Sequence, residues 1–275
     1  MLLIIADIGG YTRYMTANAK TSAHSQTIIT ELITTIIKQA DAPLEIAKLE
    51  GDAVFLFCRQ PPDPLRWMET RAQISAKLSD FFQLFREKLH ELSHSNHCTC
   101  HACAHIEKLR LKIVVHSGEA LFHRVAHFEE LAGVDIIIVH RLLKNSVNAD
   151  QYLLLTEAAI RELQFPETMT FQPGTETYED LGQLKTAFHN FDAVVGEDPV
   201  KPPAAFGTRY GKSFRIFLKL WFGPFTNQAH SFRNFPGYAS RPAKIGFALL
   251  TILLTPIMLP VVAGLGIFRA LKSKR

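Results

Sequence analysis

Two acids occupy places where acids are costly. Asp7 ends the apolar run Leu2-Leu3-Ile4-Ile5, with Gly9 and Gly10 close behind, and Asp52 follows the Glu50-Gly51 turn in "KLEGDAV". Four consecutive apolar residues read as a strand buried on both faces. A lone carboxylate at its end is unfavourable unless it is paired or meets a cation. If the hairpin turning at Glu50-Gly51 lies beside that first strand, Asp7 and Asp52 converge at one end of a sheet. With a strand-end carbonyl they form a site for a hard cation such as Mg²⁺ carrying a triphosphate. Gly9 and Gly10 leave the backbone open to close approach by phosphate.

A second group with coordination chemistry is "HCTCHACAH", His97 to His105, which holds three of the four cysteines. Clustered thiolates and imidazoles are the ligand types that Zn²⁺ prefers, and such a cluster is not a disulfide framework. Cys98, Cys100 and Cys103 with one histidine, His105 or its neighbours His97 and His101, make a Cys₃His set. An iron–sulfur or redox role and an unligated loop are the alternatives. The cluster falls between a long helix and a strand, so a structural clip is expected, not a catalytic metal. Cys58 on an apolar strand reads as core, and His116 as serving either packing or a local hydrogen bond in its hairpin, without a catalytic part.

The elements that position these residues alternate along residues 1–196. "TIITELITTIIKQA" has apolar residues at helical spacing, as do Leu78, Phe81, Phe82, Phe85, Leu89 and Leu92. Leu44–Leu49 and Asp52–Phe57 read as a tight hairpin. "LRLKIVVHSGEALF" reads as two strands about a Ser117-Gly118 turn, "VDIIIVHRLLKNSV" as a helix, "QYLLLT" as a strand, and "YEDLGQLKTAFHNFDAVV" as a closing hairpin. The order points to an α+β fold, an antiparallel-rich sheet carrying helices on one face.

The 275 residues allow one large domain, or a smaller one with an appendage. A net charge of +4 is too small to argue for nucleic acid, and a composition 47% hydrophobic and 20% charged is globular. No basic stretch precedes the N-terminal apolar run and Asp7 interrupts it, so a strand is expected there, not a signal peptide. Residues 197–211 form a proline-rich linker, and 212–275 a membrane-associated region. Within it Ile245–Phe268 has no charged residue, is flanked by Lys244 and Arg269, and is long enough to span a bilayer. Pro256 and Pro260 make it either a kinked span or a re-entrant hairpin.

Taken in order, "ADIGGYTRYM", "KLEGDAVF", "LKIVVHSGEALF", "FEELAGVDIIIVHRLLKNS" and "YEDLGQLKTAFHNFDAV" resemble the motifs of class III nucleotidyl cyclase domains. The resemblance covers about residues 1–195. It implies a ferredoxin-like, cyclase-like sheet in which Asp7 and Asp52, helped by the Ile8 carbonyl, hold two Mg²⁺ or Mn²⁺ ions. It implies that Lys48 contacts the base, with Glu130 (or Glu129) as its partner, and that Arg141 neutralises phosphate charge during attack by the 3′-oxygen. It also implies a head-to-tail homodimer, the metals coming from one subunit and the base and Arg contacts from the other. Ile137 stands where these domains use an asparagine to orient the ribose. Lys48 with Glu130 matches neither of the family's usual base-reading pairs, so the base stays open. The expected function is a membrane-anchored enzyme, its catalytic domain cytoplasmic, converting a nucleoside triphosphate to a cyclic 3′,5′-nucleotide and pyrophosphate. The alternatives are a nucleotide- or partner-binding module without turnover, and a membrane-tethered scaffold.

Overall fold

A computed structural model describes residues 1–18, 22–95 and 101–192, with 246, 249, 253, 254 and 256 as isolated positions. The chain divides into two compact units, one of Met1–Leu92 with Ala104–Asp198 and one of Ser93–Cys103 with Pro199–Arg275. The linker 197–211 and the region 212–275, including nearly all of 245–268, lie outside the described residues. No helix among the described residues is long and apolar enough to cross a membrane.

The first unit is built on one seven-stranded sheet. Its strands are β1 (Leu2–Gly9), β2 (Glu45–Glu50), β3 (Ala53–Cys58), β4 (Arg110–Ser117), β7 (Tyr152–Thr156), β8 (Gln172–Tyr178) and β9 (Gly182–Asn190), in the order β2-β3-β1-β4-β7-β9-β8. All neighbours are antiparallel except β4 and β7. β5 (Leu121–Val125) and β6 (Phe128–Ala132) pair only with each other. The helices are α1 (Tyr11–Ala17), α2 (Ser22–Gln39), α3 (Pro64–Ser95), α4 (His101–Ala104), α5 (Val134–Arg141) and α6 (Glu157–Glu162). α3 starts earlier than its apolar spacing indicates: Pro64 takes the first helical position, and the Asp63 carboxylate accepts from Leu65 N–H at 3.0 Å.

The closing hairpin, the Glu50-Gly51 hairpin and the helices around Ile29 and Phe82 stand where the sequence places them. Two expectations are corrected. The strands on either side of Ser117-Gly118 do not pair: both edges of β4 are already taken by β1 and β7, so β5 must find its partner in β6. Nor are the helices confined to one face. β3 and β7 are buried throughout and β1 at every residue but Asp7, which requires cover on both sides. Leu3, Ile5, Phe55, Phe57, Val114 and Leu154 form a cluster with Val139 and Leu142 from α5 and the turn after it. Leu2, Ile4, Ala6 and Ile8 point the other way and are equally buried. The buried apolar stripes of α2 (Ile29, Leu32, Ile36) and α3 (Phe81, Phe82, Phe85) lie outside the α5 cluster.

Phe55, 1% exposed, packs in the centre of the α5-side cluster. Phe55→Ala is expected to lower unfolding free energy by about 3–5 kcal/mol. Leu65→Gln, at a position 68% exposed in the first turn of α3, should change it by less than about 0.5 kcal/mol. Urea unfolding of the two variants measures the difference.

Candidate functional site

The two acids meet. Asp7 sits opposite Ala53 of β3 and Lys112 of β4, on the α5 side of the sheet, and Asp52 occupies the turn between β2 and β3. Ile8 N–H donates to the Asp52 carbonyl at 3.2 Å, which draws the Ile8 main chain against that turn. The carboxyl groups of Asp7 and Asp52 lie close enough to interact directly, and each is held above its usual range. Burial pushes Asp7 up to about 6, and the Asp52 charge pushes the same way while the Lys112 ammonium opposes both. Burial raises Asp52 as well.

Like charges forced together in a partly desolvated strand end suit a hard cation. Among the described residues no cluster of three or more His, Cys, Asp or Glu side chains is arranged to hold a metal. Two carboxylates without a full cage fit Mg²⁺ or Mn²⁺, which keep water and phosphate oxygens as their other ligands. The glycines serve different ends. Gly10 has φ 84° and opens α1 from the left-handed region. A β-carbon on Gly9 would stand 2.9 Å from Lys112 Cε, so the space beside Gly9 belongs to the lysine that faces Asp7, not to open phosphate room.

Lys48 reaches its place through a β-bulge. Ile46 pairs with Leu56 but Lys48 with Phe55, so Ala47 is an extra residue, and Lys48 turns to the α5 side. Its ammonium lies 3.0 Å from Glu50 and 3.8 Å from Glu130 on β6. Of the two adjacent acids left open by the sequence, Glu130 is the one within ion-pair distance. An open cavity of about 190 Å³ lies here, with Phe55, Phe57 and Phe122 as walls and Lys48, Arg59 and Glu130 at its rim. Phe122 of β5 meets Phe57 edge-on at 5.5 Å and takes the Arg59 guanidinium 4.1 Å above its ring.

Glu50 joins this group to α5. His140 Nε2 lies 3.0 and 3.1 Å from its two oxygens, and Nδ1 lies 2.7 Å from Ile136 O, so the ring is held on both sides. Burial pushes Glu50 up, but the hydrogen bonds from His140 and Lys48 outweigh it and hold the carboxyl below its usual range. Arg141, next in sequence, points elsewhere: it is half-exposed and 3.5 Å from Asp180 in the β8–β9 turn. Ile137, 51% exposed, lies one turn before it. Within one chain, then, Asp7 joins Asp52, and Lys48 joins Glu130, while the contacts of Arg141 belong to a different edge of the surface.

Three residues go unnoticed in the sequence: Lys112, Glu50 and His140. Lys112 could have been found as a cation at register with Asp7, but nothing in the spacing links Glu50 to His140. His116 is buried, in keeping with a packing role, but its hydrogen bonds are not local. Its partners are not in its hairpin: Nε2–H donates to Asp135 of α5 at 2.9 Å, and Nδ1 accepts from Thr156 Oγ1 at 2.8 Å. Thr156 Oγ1 also accepts from Ala159 N–H, and Asp135 from Glu119 N–H at 2.7 Å. His116 and Thr156 are buried, so this relay ties α5 to the end of β7. Cys98 and Cys100 lie outside the described residues; Cys103 is buried in α4, with His105 just beyond it.

The comparisons with known proteins agree with this picture at the level of fold. The structure resembles that of a bacterial light-regulated adenylyl cyclase, with a TM-score of 0.50 and 16% identity, over 69% of this chain and 51% of that one. The chain thus spans about half the length of that cyclase. It also resembles the adenylyl cyclase CyaB from P. aeruginosa, with a TM-score of 0.50 and 10% identity, over 68% of this chain and 92% of that one. Residues 29–152 match the family described as "Protein of unknown function (DUF2652)". The uncharacterized protein Rv2561/Rv2562 of Mycobacterium tuberculosis is 30% identical over 173 residues, 63% of this chain and 77% of that protein. The chain therefore belongs to the same family as the mycobacterial Rv2561/Rv2562 protein, on the fold of class III cyclase catalytic domains.

Proposed function

We propose that the chain is a nucleotidyl cyclase that converts a nucleoside triphosphate to a cyclic 3′,5′-nucleotide and pyrophosphate, two copies building the site together. The observation that carries this reading is the Asp7–Asp52 pair, like charges held in contact at a strand end on a cyclase-like sheet. Asp7 and Asp52 hold the cation and, through it, the triphosphate. A bound Mg²⁺ or Mn²⁺ supplies charge neutralisation and favours the 3′-alkoxide. The 3′-oxygen forms a bond to the α-phosphorus as the bond to the pyrophosphate oxygen breaks, and the 3′-hydroxyl proton passes to solvent.

Lys48 offers a donor and Glu130 an acceptor to a base edge. Both purines present an acceptor beside a donor, so the pair accepts either. Arg141 reaches the phosphates of a nucleotide held by the acids of the second copy, where its charge stabilises the transition state. Its exposure, with Val134 and Ile137 on the same helix face and Leu121 and Val125 on β5, fits a surface that another copy covers. The uncharged stretch 245–268 and its basic flanks support a membrane anchor with the catalytic domain on the cytoplasmic side. Cys98, Cys100, Cys103 and His105 support a structural Zn²⁺ clip. Ile137 favours a second reading, a cyclase-like module that binds nucleotide without turnover, because isoleucine offers the ribose no hydrogen bond.

The full-length protein in detergent, incubated with each ribonucleoside triphosphate and Mn²⁺ or Mg²⁺, tests the reading by mass spectrometry of the products. A cyclic nucleotide is expected, reduced about 100-fold or more by Asp7→Ala or Arg141→Ala. Metal-dependent binding without product would select the second reading, and neither would refute both. The acid pair also sets a pH dependence. Asp7 is raised from 3.8 to about 6 in the folded chain, so its favourable contribution is complete below about pH 4 and is lost as pH rises through 6. In EDTA, stability should therefore fall from pH 4.5 to 7.5. Asp7→Asn should raise it at pH 7.5 by about 1–3 kcal/mol, read by urea unfolding.

A further inference from the structure

We propose that Glu50 and His140 are positioning residues for this cyclisation, forming a bridge that keeps Lys48 on β2 at a fixed separation from Arg141 on α5. The inference rests on the nucleotide reading above and adds how the two ends of one nucleotide are kept in register. In that reading Lys48 and Arg141 of the same protomer meet opposite ends of the same molecule, the base and the phosphates. Ordinarily a hydrogen bond to the ribose would fix the middle, but Ile137 makes none. The register must then come from the protein itself.

The geometry provides it. Lys48 has two acids in reach, and the nearer is Glu50, at 3.0 Å against 3.8 Å for Glu130. Glu130 is 41% exposed and free to turn to a ligand, whereas Glu50 is 24% exposed and fastened by both oxygens to His140 Nε2. The imidazole cannot swing. Its Nδ1 is held by Ile136 O one turn back, and Phe55 abuts it edge-on at 5.1 Å. His140 and Arg141 are consecutive on α5, so a displacement of the imidazole moves the helix that carries the arginine. A chain of bonded groups thus runs from Lys48 through Glu50 and His140 to the backbone of α5. Its members are spaced 90 residues apart in sequence between Glu50 and His140.

Kinetics of the full-length chain with Mn²⁺ and ATP or GTP test the bridge. His140→Ala should lower kcat about 10- to 100-fold, as misplacement of reacting groups does, with KM changed less than about threefold. Glu50→Gln should behave alike. His140→Gln, whose side-chain N–H can donate to Glu50, should recover most of the loss, and its melting temperature against that of His140→Ala separates folding from positioning. Because the bridge acts through Lys48, the Lys48→Ala/His140→Ala double variant should be no slower than about twofold beyond Lys48→Ala alone. Wild-type kcat in His140→Ala, a fully additive double variant, or no recovery by glutamine overturns the bridge alone. A wild-type chain that yields no cyclic product from either triphosphate overturns the cyclisation reading and the bridge's role with it.

Discussion

Two carboxyl groups share the end of a strand that has no exposed face, and much of the surrounding structure answers to that repulsion. β1 is the third strand of the seven-stranded sheet and is buried on both sides, so Asp7 is only partly open to water. Asp52 is brought against it by the β2–β3 turn and the Ile8 N–H bond to its carbonyl. One compensation is Lys112, directly opposite on β4, whose ammonium opposes the repulsion and whose alkyl chain fills the space left by Gly9. Lys112 in turn lies with its ammonium 5.5 Å from the Tyr152 ring centre. An unfavourable pair kept in place by this much supporting structure is what a cation site requires, because the cation supplies the attraction that the chain alone lacks.

The same sheet face holds α5 by polar contacts at each end. At its start Asp135 bonds both His116 and Glu119 N–H, and a β-carbon on Gly118 would overlap the Asp135 carboxylate at 2.2 Å. Burial raises Asp135, but these partners outweigh it and hold the carboxyl below its usual range. Near its end His140 is tied to Glu50. The turn that follows is tied again: Asn145 to Tyr152 Oη at 2.8 Å, Ser146 to Glu176, and Tyr178 Oη–H to Lys144 O at 3.0 Å. An eight-residue helix has little stability of its own. Its position relative to β1 is set by these contacts and by Val139 and Leu142 in the core.

What the sequence discloses follows the range of the forces involved. Strand and helix periodicity and the Glu50-Gly51 hairpin are local and could be read from spacing, whereas the convergence of Asp7 with Asp52 followed only on the condition that this hairpin lies beside β1, as it does. The bulge at Ala47 could not be read from spacing: alternation alone would put Ile46 and Lys48 on one face, and only the paired strand shows that they part. The expectation that β4 and β5 pair failed for a similar reason, since edge occupancy is a property of the whole sheet. A single-sided helical layer failed because an unbroken apolar strand does not say what covers each face. Glu50 with His140 and His116 with Thr156 join residues 90 and 40 apart, and no pattern along the chain foretells such partners.

The placement of Arg141 gives the final constraint. One chain brings together the acids and, separately, the Lys48 group, but leaves the arginine on an exposed helix face with Asp180 beside it. Asp180 is itself 78% exposed, so their attraction is weakened by solvent and easily exchanged for a stronger anion. Val134 and Ile137 stand on the same face at helical spacing, both more than half exposed. A cation amid apolar side chains is poorly placed for a solvated surface and well placed for an interface that receives a phosphate. In such an interface Ile137 loses its disadvantage as an exposed residue even though it cannot bind a ribose. Under the proposed cyclisation, an isoleucine here leaves the nucleotide's anchoring to its two ends, and it is between the residues proposed for those ends that Glu50 and His140 form their bonded bridge.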